Sequence, residues 1–126
     1  MNEITLNDNS LTVNELRLSA SRPVAPGRAA AASRPRLFSL VLEREVTRYT
    51  GTEFRDAFAE PTPQVNGTSI TGSFNTADGS GYRFETKDAT PIRHEILQVE
   101  NDSVIERLTL VVRTINIAGT DFSALR

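Results

Sequence analysis

Short runs of alternating apolar and polar residues, each closed by a turn-forming dipeptide, constrain this chain more than any other feature. The clearest is Leu37–Thr50, LFSLVLEREVTRYT. Phe38, Leu40, Leu42 and Val46 fall on one face of a strand there, and Ser39, Glu43, Glu45 and Thr47 fall on the other. A helix over Leu40–Arg48 is the alternative, but the Val, Thr and Tyr toward its end favour strand. Ile4-Thr5-Leu6 and Leu11-Thr12-Val13 flank an Asn/Asp cluster at Asn7–Ser10 and predict a hairpin. Leu16 and Leu18 carry its second strand to about Ser19. Asn66-Gly67 and Asp78-Gly79 favour positive φ and mark turns, so Thr68–Asn75 and Tyr82–Lys87 are expected to pair. Ile92–Glu100 adds a further strand, apolar at Ile92, Ile96, Leu97 and Val99. Glu53–Glu60 reads as a helical turn or as strand continued through Phe54 and Phe58, and Pro61 and Pro63 stop either.

The segment Ser103–Ile117, SVIERLTLVVRTINI, supports two readings. As a helix it carries the stripe Val104, Leu108, Val111, Val112 and Ile115, with Asp102 or Ser103 as N-cap, Glu106 in capping-box position and Gly119 near the stop. As a strand it alternates at Leu108, Leu110 and Val112 and is rich in β-branched residues. Capping and the stripe tip the expectation to helix. Thr120–Arg126 would open a second short one.

Composition narrows the function. A chain of 126 residues is expected to form a single domain, 1–126, with one modest core. It has no Cys, which removes disulfides, thiolate catalysis and Cys-ligated metals, and a lone His94 excludes a two-histidine metal site. No metal or other cofactor is expected. Met1–Ser10 lacks the order of a signal peptide, and no apolar run approaches the roughly 18 residues of a span, so no membrane partner is expected. Residues 21–36 carry Arg22, Arg28, Arg34 and Arg36 without an acid among three prolines, and read as an extended arm or a connection between strands. From Leu37 onward 9 basic residues face 13 acidic ones, so a basic stretch precedes an acidic body. Lys87 is the only lysine, which leaves 13 arginines, side chains that pair bidentately with phosphate or carboxylate.

Ile4–Asp8, the Val-Asn-Gly of Val65–Gly67 and SVIERLTL at Ser103–Leu110 together resemble the coat proteins of single-stranded RNA bacteriophages, the leviviruses. The resemblance implies an α+β fold: an N-terminal hairpin, an antiparallel β-meander sheet and a C-terminal helix packing on a partner subunit's sheet. It implies a homodimer that self-assembles into an icosahedral shell, packages viral RNA, and resides in a virion capsid assembled in the host cytoplasm. Val104, Leu108, Val111, Val112 and Ile115 would then form the dimer interface.

Alternation and charge, not the resemblance, select the RNA-contacting candidates. Arg44, Arg48, Arg83, Lys87 and Arg93 sit on strand candidates and suit phosphates, while Tyr49 and Tyr82 suit stacking on bases. The plain alternative is a solvated face with ion pairs to Glu43, Glu45, Glu85 and Glu95. Catalysis is not expected, because Glu95 would point away from His94 on a strand and nothing marks a nucleophile. Two other readings stand beside the coat protein: another phage assembly component, such as a decoration or tail protein, or a monomeric β-rich binding domain. No small-molecule substrate is expected.

Overall fold

A computed structural model describes residues 2–21, 37–59 and 67–123. The expected arm at 21–36, apart from Ser21 itself, lies outside the described residues, as do Val65 and Asn66 of the Val-Asn-Gly motif. The strands are β1 (Asn2–Leu6), β2 (Asn9–Val13), β3 (Glu15–Ser21), β4 (Leu37–Glu45), β5 (Thr68–Phe74), β6 (Tyr82–Gln98), β7 (Val104–Val112), β8 (Thr114–Ile117) and β9 (Thr120–Ser123). The α-helix α1 (Glu53–Ala59) lies between β4 and β5.

Turn chemistry places the hairpins. Asn7 and Asp8 adopt positive φ, 47° and 71°, and join β1 to β2 as their side chains allow. Between β5 and β6, Asp78 accepts from the hydroxyls of Thr76 and Ser80 and from the Ser80 N–H. Those donors hold the Asp78 carboxyl down at about 2.

β6 is the spine. Its first half pairs with β5 on one edge and, through Phe84 and Glu85, with β8 on the other. Its second half pairs with β7. A bulge at Pro91–Arg93 lets the strand turn from one sheet to the other, and a bulge tolerates a proline without a donor. Sheet A therefore runs β2-β1-β5-β6-β8-β9, and sheet B runs β6-β7-β4-β3, every pairing antiparallel. The outer strands β2 and β3 are consecutive in the chain and bend at Asn14. Its N–H donates to the Glu43 carbonyl, and its side-chain oxygen accepts from the Glu45 N–H, both at 2.7 Å. The circuit of pairings thus returns on itself, and the two sheets close around a common core as a barrel.

Alternation fills that core. Ile4, Leu6, Val13, Ile70 and Phe84 point inward from sheet A, and Phe38, Leu40, Leu42, Leu108, Leu110 and Val112 from sheet B. Each such side chain contributes roughly 1.5–3 kcal/mol by leaving water. A Cβ on Gly72 would stand 2.7 Å from the Phe84 ring and 2.9 Å from Ile4, so β5 needs glycine there. Seven residues are too few for an isolated helix, and α1 is held by burying Phe54 and Ala57 beside β6 and β7.

The expected α+β architecture is overturned. The regular structure of the described chain is antiparallel β apart from α1 and one 3-10 turn at Glu100–Asp102. Ser103–Ile117 forms strands β7 and β8, not a helix laid on a partner's sheet. The capping signals mislead because Asn101 and Asp102 take positive φ, 63° and 59°, and turn the chain from β6 into β7. Glu106, read as part of a capping box, is buried beside Arg44 and His94. Thr120–Ser123 is strand β9 instead of a second helix, and the rest of that tail lies outside the described residues.

Candidate assembly interface

The register across sheet B puts two rows of charge on its outer face. Glu15, Glu43, Arg107 and Glu95 stand side by side from β3 to β6, and Arg17, Val41, Thr109 and Arg93 form the next row. These eight residues line a shallow depression of about 230 Å³. Arg107 donates to Glu43 from Nε at 2.6 Å and reaches Glu95 at 3.6 Å. The bond to Glu43 raises the already high pKa of the guanidinium, so its charge is fixed. Among the described residues, Arg17 and Arg93 form no ion pair.

The opposite face of sheet B looks into the barrel. Arg44 is on that face, only 6% exposed, beside Leu40 and Leu42 of the same strand. Its Nε donates to Glu106 at 2.7 Å, one terminal nitrogen to Glu53 at 2.9 Å and the other to the Gly51 carbonyl at 3.0 Å. Its guanidinium lies 4.2 Å from the centre of the Phe54 ring. His94 Nε2 meets the second oxygen of Glu106 at 2.7 Å, and its ring tilts against Phe58. A hydrogen bond from the Glu53 backbone N–H, followed by that of Arg44, holds the Glu53 carboxyl below its ordinary range. The cluster pins α1 to the barrel, and every polar atom buried in it is satisfied.

The RNA-contacting candidates do not share a surface. Arg44 is inside. Arg48 and Tyr49 lie after β4, where Arg48 donates to the Tyr49 hydroxyl at 2.5 Å and covers its ring. Tyr82, Arg83 and Lys87 belong to the sheet A half of β6, where Tyr82 leans on Phe74 and Arg83 borders a hydroxyl-rich hollow with Thr5, Thr71 and Ser73. Arg93 belongs to the sheet B half, on the charged outer face. The expected interface stripe is likewise divided. Leu108, Val112 and Ile115 are in this chain's own core, while Val104 and Val111 are half-buried. Among the described residues no cluster of His, Asp and Glu could hold a metal ion, and no helix is long and apolar enough to cross a membrane.

Sheet B also has two free edges. Among the described residues no strand pairs with β3 on the side away from β4, or with Arg93–Gln98 of β6 on the side away from β7. Exposed Ile92 and Ile96, 53% and 67% accessible, mark the second edge. Sequence reasoning missed Glu15 and Arg17, whose alternation in ELRLSA was legible but whose position on an edge was not.

This barrel with its single described helix defines a class among solved structures. No protein-family model matches the chain, and no curated protein matches it. Hcp1 from Flavobacterium johnsoniae shares the fold with a TM-score of 0.67 at 12% identity, covering 97% of this chain and 98% of that one. The sheath/tube terminator of an extracellular contractile injection system, PVC, gives a TM-score of 0.61 at 15% identity, with 92% of this chain and 91% of that one covered. The tube terminating cap of the anti-feeding prophage gives 0.63 at 15% identity, covering 92% and 86%. These likenesses establish the fold. They overturn the resemblance to RNA-phage coat proteins, and with it the RNA-packaging icosahedral capsid, because the fold is that of Hcp1, of a sheath/tube terminator and of a tube terminating cap instead.

Proposed function

We propose that the chain is a structural component of a phage-tail-like tube, assembling into rings through the edges of sheet B. This is the assembly-component alternative among the sequence readings. The observation that carries it is the pair of free edges on a sheet of four strands. Because β3, β4, β7 and β6 alternate in direction, β3 of a second copy added beside β6 continues the antiparallel order. An even number of strands per copy lets such a sheet close on itself under rotational symmetry, which removes both edges.

The barrel core, sheet A and α1 all lie on one face of sheet B, so a closed ring has room for these bodies only outside. The charged face of Glu15, Arg17, Glu43, Arg93, Glu95 and Arg107 then lines a central channel. The likeness to tube terminators and caps supports this reading, and so does a chain of like fold in the 6-fold symmetrised anti-feeding prophage baseplate (TM-score 0.56, 15% identity). A ring of six is proposed on that basis, in a particle resembling a phage tail. The role is structural, and no catalysis is assigned to His94.

Native mass measurement tests the proposal. Sedimentation of the purified chain is expected to give a species about six times the 13.9 kDa chain mass, or stacks of it. A single 13.9 kDa species at every concentration would overturn it.

A further inference from the structure

Two free edges can meet in several registers, and the side chains select one. We infer that, in the ring proposed above and resting on that reading, β3 of one copy pairs with Arg93–Leu97 of the next so that Arg17 lies directly opposite Glu95. Arg17, Glu15, Arg93 and Glu95 share the outer face, so only shifts of two residues keep like faces together.

Placing Arg17 opposite Arg93 fails twice. It sets Glu15 against Glu95 as a second like-charge pair. It also runs Ser21 alongside Ala89, whose position on that edge is taken by Thr68 of β5. A shift the other way puts Arg17 opposite Leu97 and Glu15 opposite Val99. Val99 lies beyond β6, and its N–H is already given to the Ser103 carbonyl.

The intermediate register agrees on both faces. On the channel face, Arg17 gains Glu95, whose cation within its own chain, Arg107, stands 3.6 Å away and is held more closely by Glu43. Ser19 meets Arg93, and Glu15 meets Leu97. On the other face Ile96, 67% exposed, falls opposite Leu16, and His94 falls opposite Leu18, both leucines half-buried at the edge of the core. One register therefore neutralises a charge on one side and covers an exposed isoleucine on the other. The partner is a second copy of this chain.

The absence of cysteine makes the register directly testable. Facing residues on paired antiparallel strands bring their Cα atoms to about 4.5–5.5 Å, within the roughly 4.4–6.8 Å that a disulfide spans. Oxidised Arg17→Cys with Glu95→Cys is expected to run as a ladder of linked chains on a non-reducing gel, and Arg17→Cys with Arg93→Cys as single chains. The opposite pattern overturns the register while leaving the ring. Rings seen by imaging with neither pair linked overturn the edge pairing itself. Absence of rings from the unaltered chain overturns the ring reading, and the register falls with it. Charge exchange gives a second arm: Arg17→Glu should lose the ring, and adding Glu95→Arg should restore it to within about twofold. A double variant that keeps its circular dichroism spectrum but forms no rings refutes the pairing.

Discussion

At the scale of single residues, Arg44 sets a charge at an inward-facing position and holds it there through Glu106. Phe38, Leu40 and Leu42 define the inward face of β4, and Arg44 continues the same parity. Its burial was therefore legible, and the charge drew it wrongly to the surface. Its partner Glu106, 62 positions away, was not legible, because only the fold brings β4 beside β7. Replacing one member of a buried pair leaves the other charge uncompensated, so Arg44→Met should cost about 3 kcal/mol. Urea unfolding checks this, and adding Glu106→Leu should recover most of the loss. If Arg44→Met alone leaves the urea midpoint unchanged, the cluster does not hold α1 to the barrel.

At the scale of elements, local signals located the hairpins. Asn7-Asp8 and Asp78-Gly79 encode their turns within a few residues, and β1/β2 and β5/β6 pair around them. The stretch from Val104 to Ile115 satisfies two periods with its apolar residues, so the helical expectation fails and strands β7 and β8 form. Parity reverses around Arg113, where β7 ends and β8 begins, so Val112 and Ile115 both point inward while Arg113 and Thr114 are exposed. That break produced the spacing of a helical stripe. The sequence pattern divides β6 into Tyr82–Lys87 and Ile92–Glu100, whereas one strand runs through Pro91 because a bulge absorbs it. The strand assignment predicts unequal costs for adjacent residues. Val112→Thr buries a hydroxyl in the core and should cost about 1–3 kcal/mol. Val111→Thr, on the outer face, should stay within about 0.5 kcal/mol. Equal losses in a thermal or urea melt would argue for the helix.

At the scale of the whole molecule, the sequence pointed to assembly but attached it to the wrong architecture. The short length and the exclusion of thiol and two-histidine chemistry led to self-association, and the RNA-phage resemblance supplied a shell. The free edges of sheet B support the proposed ring instead, because an antiparallel sheet with complementary ends can be closed by rotation. No single sequence can show which strand edges remain unpaired after folding, so the edge positions of Glu15, Arg17 and Glu95 were not legible in it. Charge patterning was equally ambiguous: Arg17 and Arg93 stand among acids on a face that reads the same whether it meets water, another subunit or the interior of a channel.

Electron microscopy of the purified, unaltered chain tests the central claim most directly. End-on class averages should show sixfold rings with an open centre, alone or stacked into tubes. Closed icosahedral shells, or single particles of 13.9 kDa without rings, would contradict it.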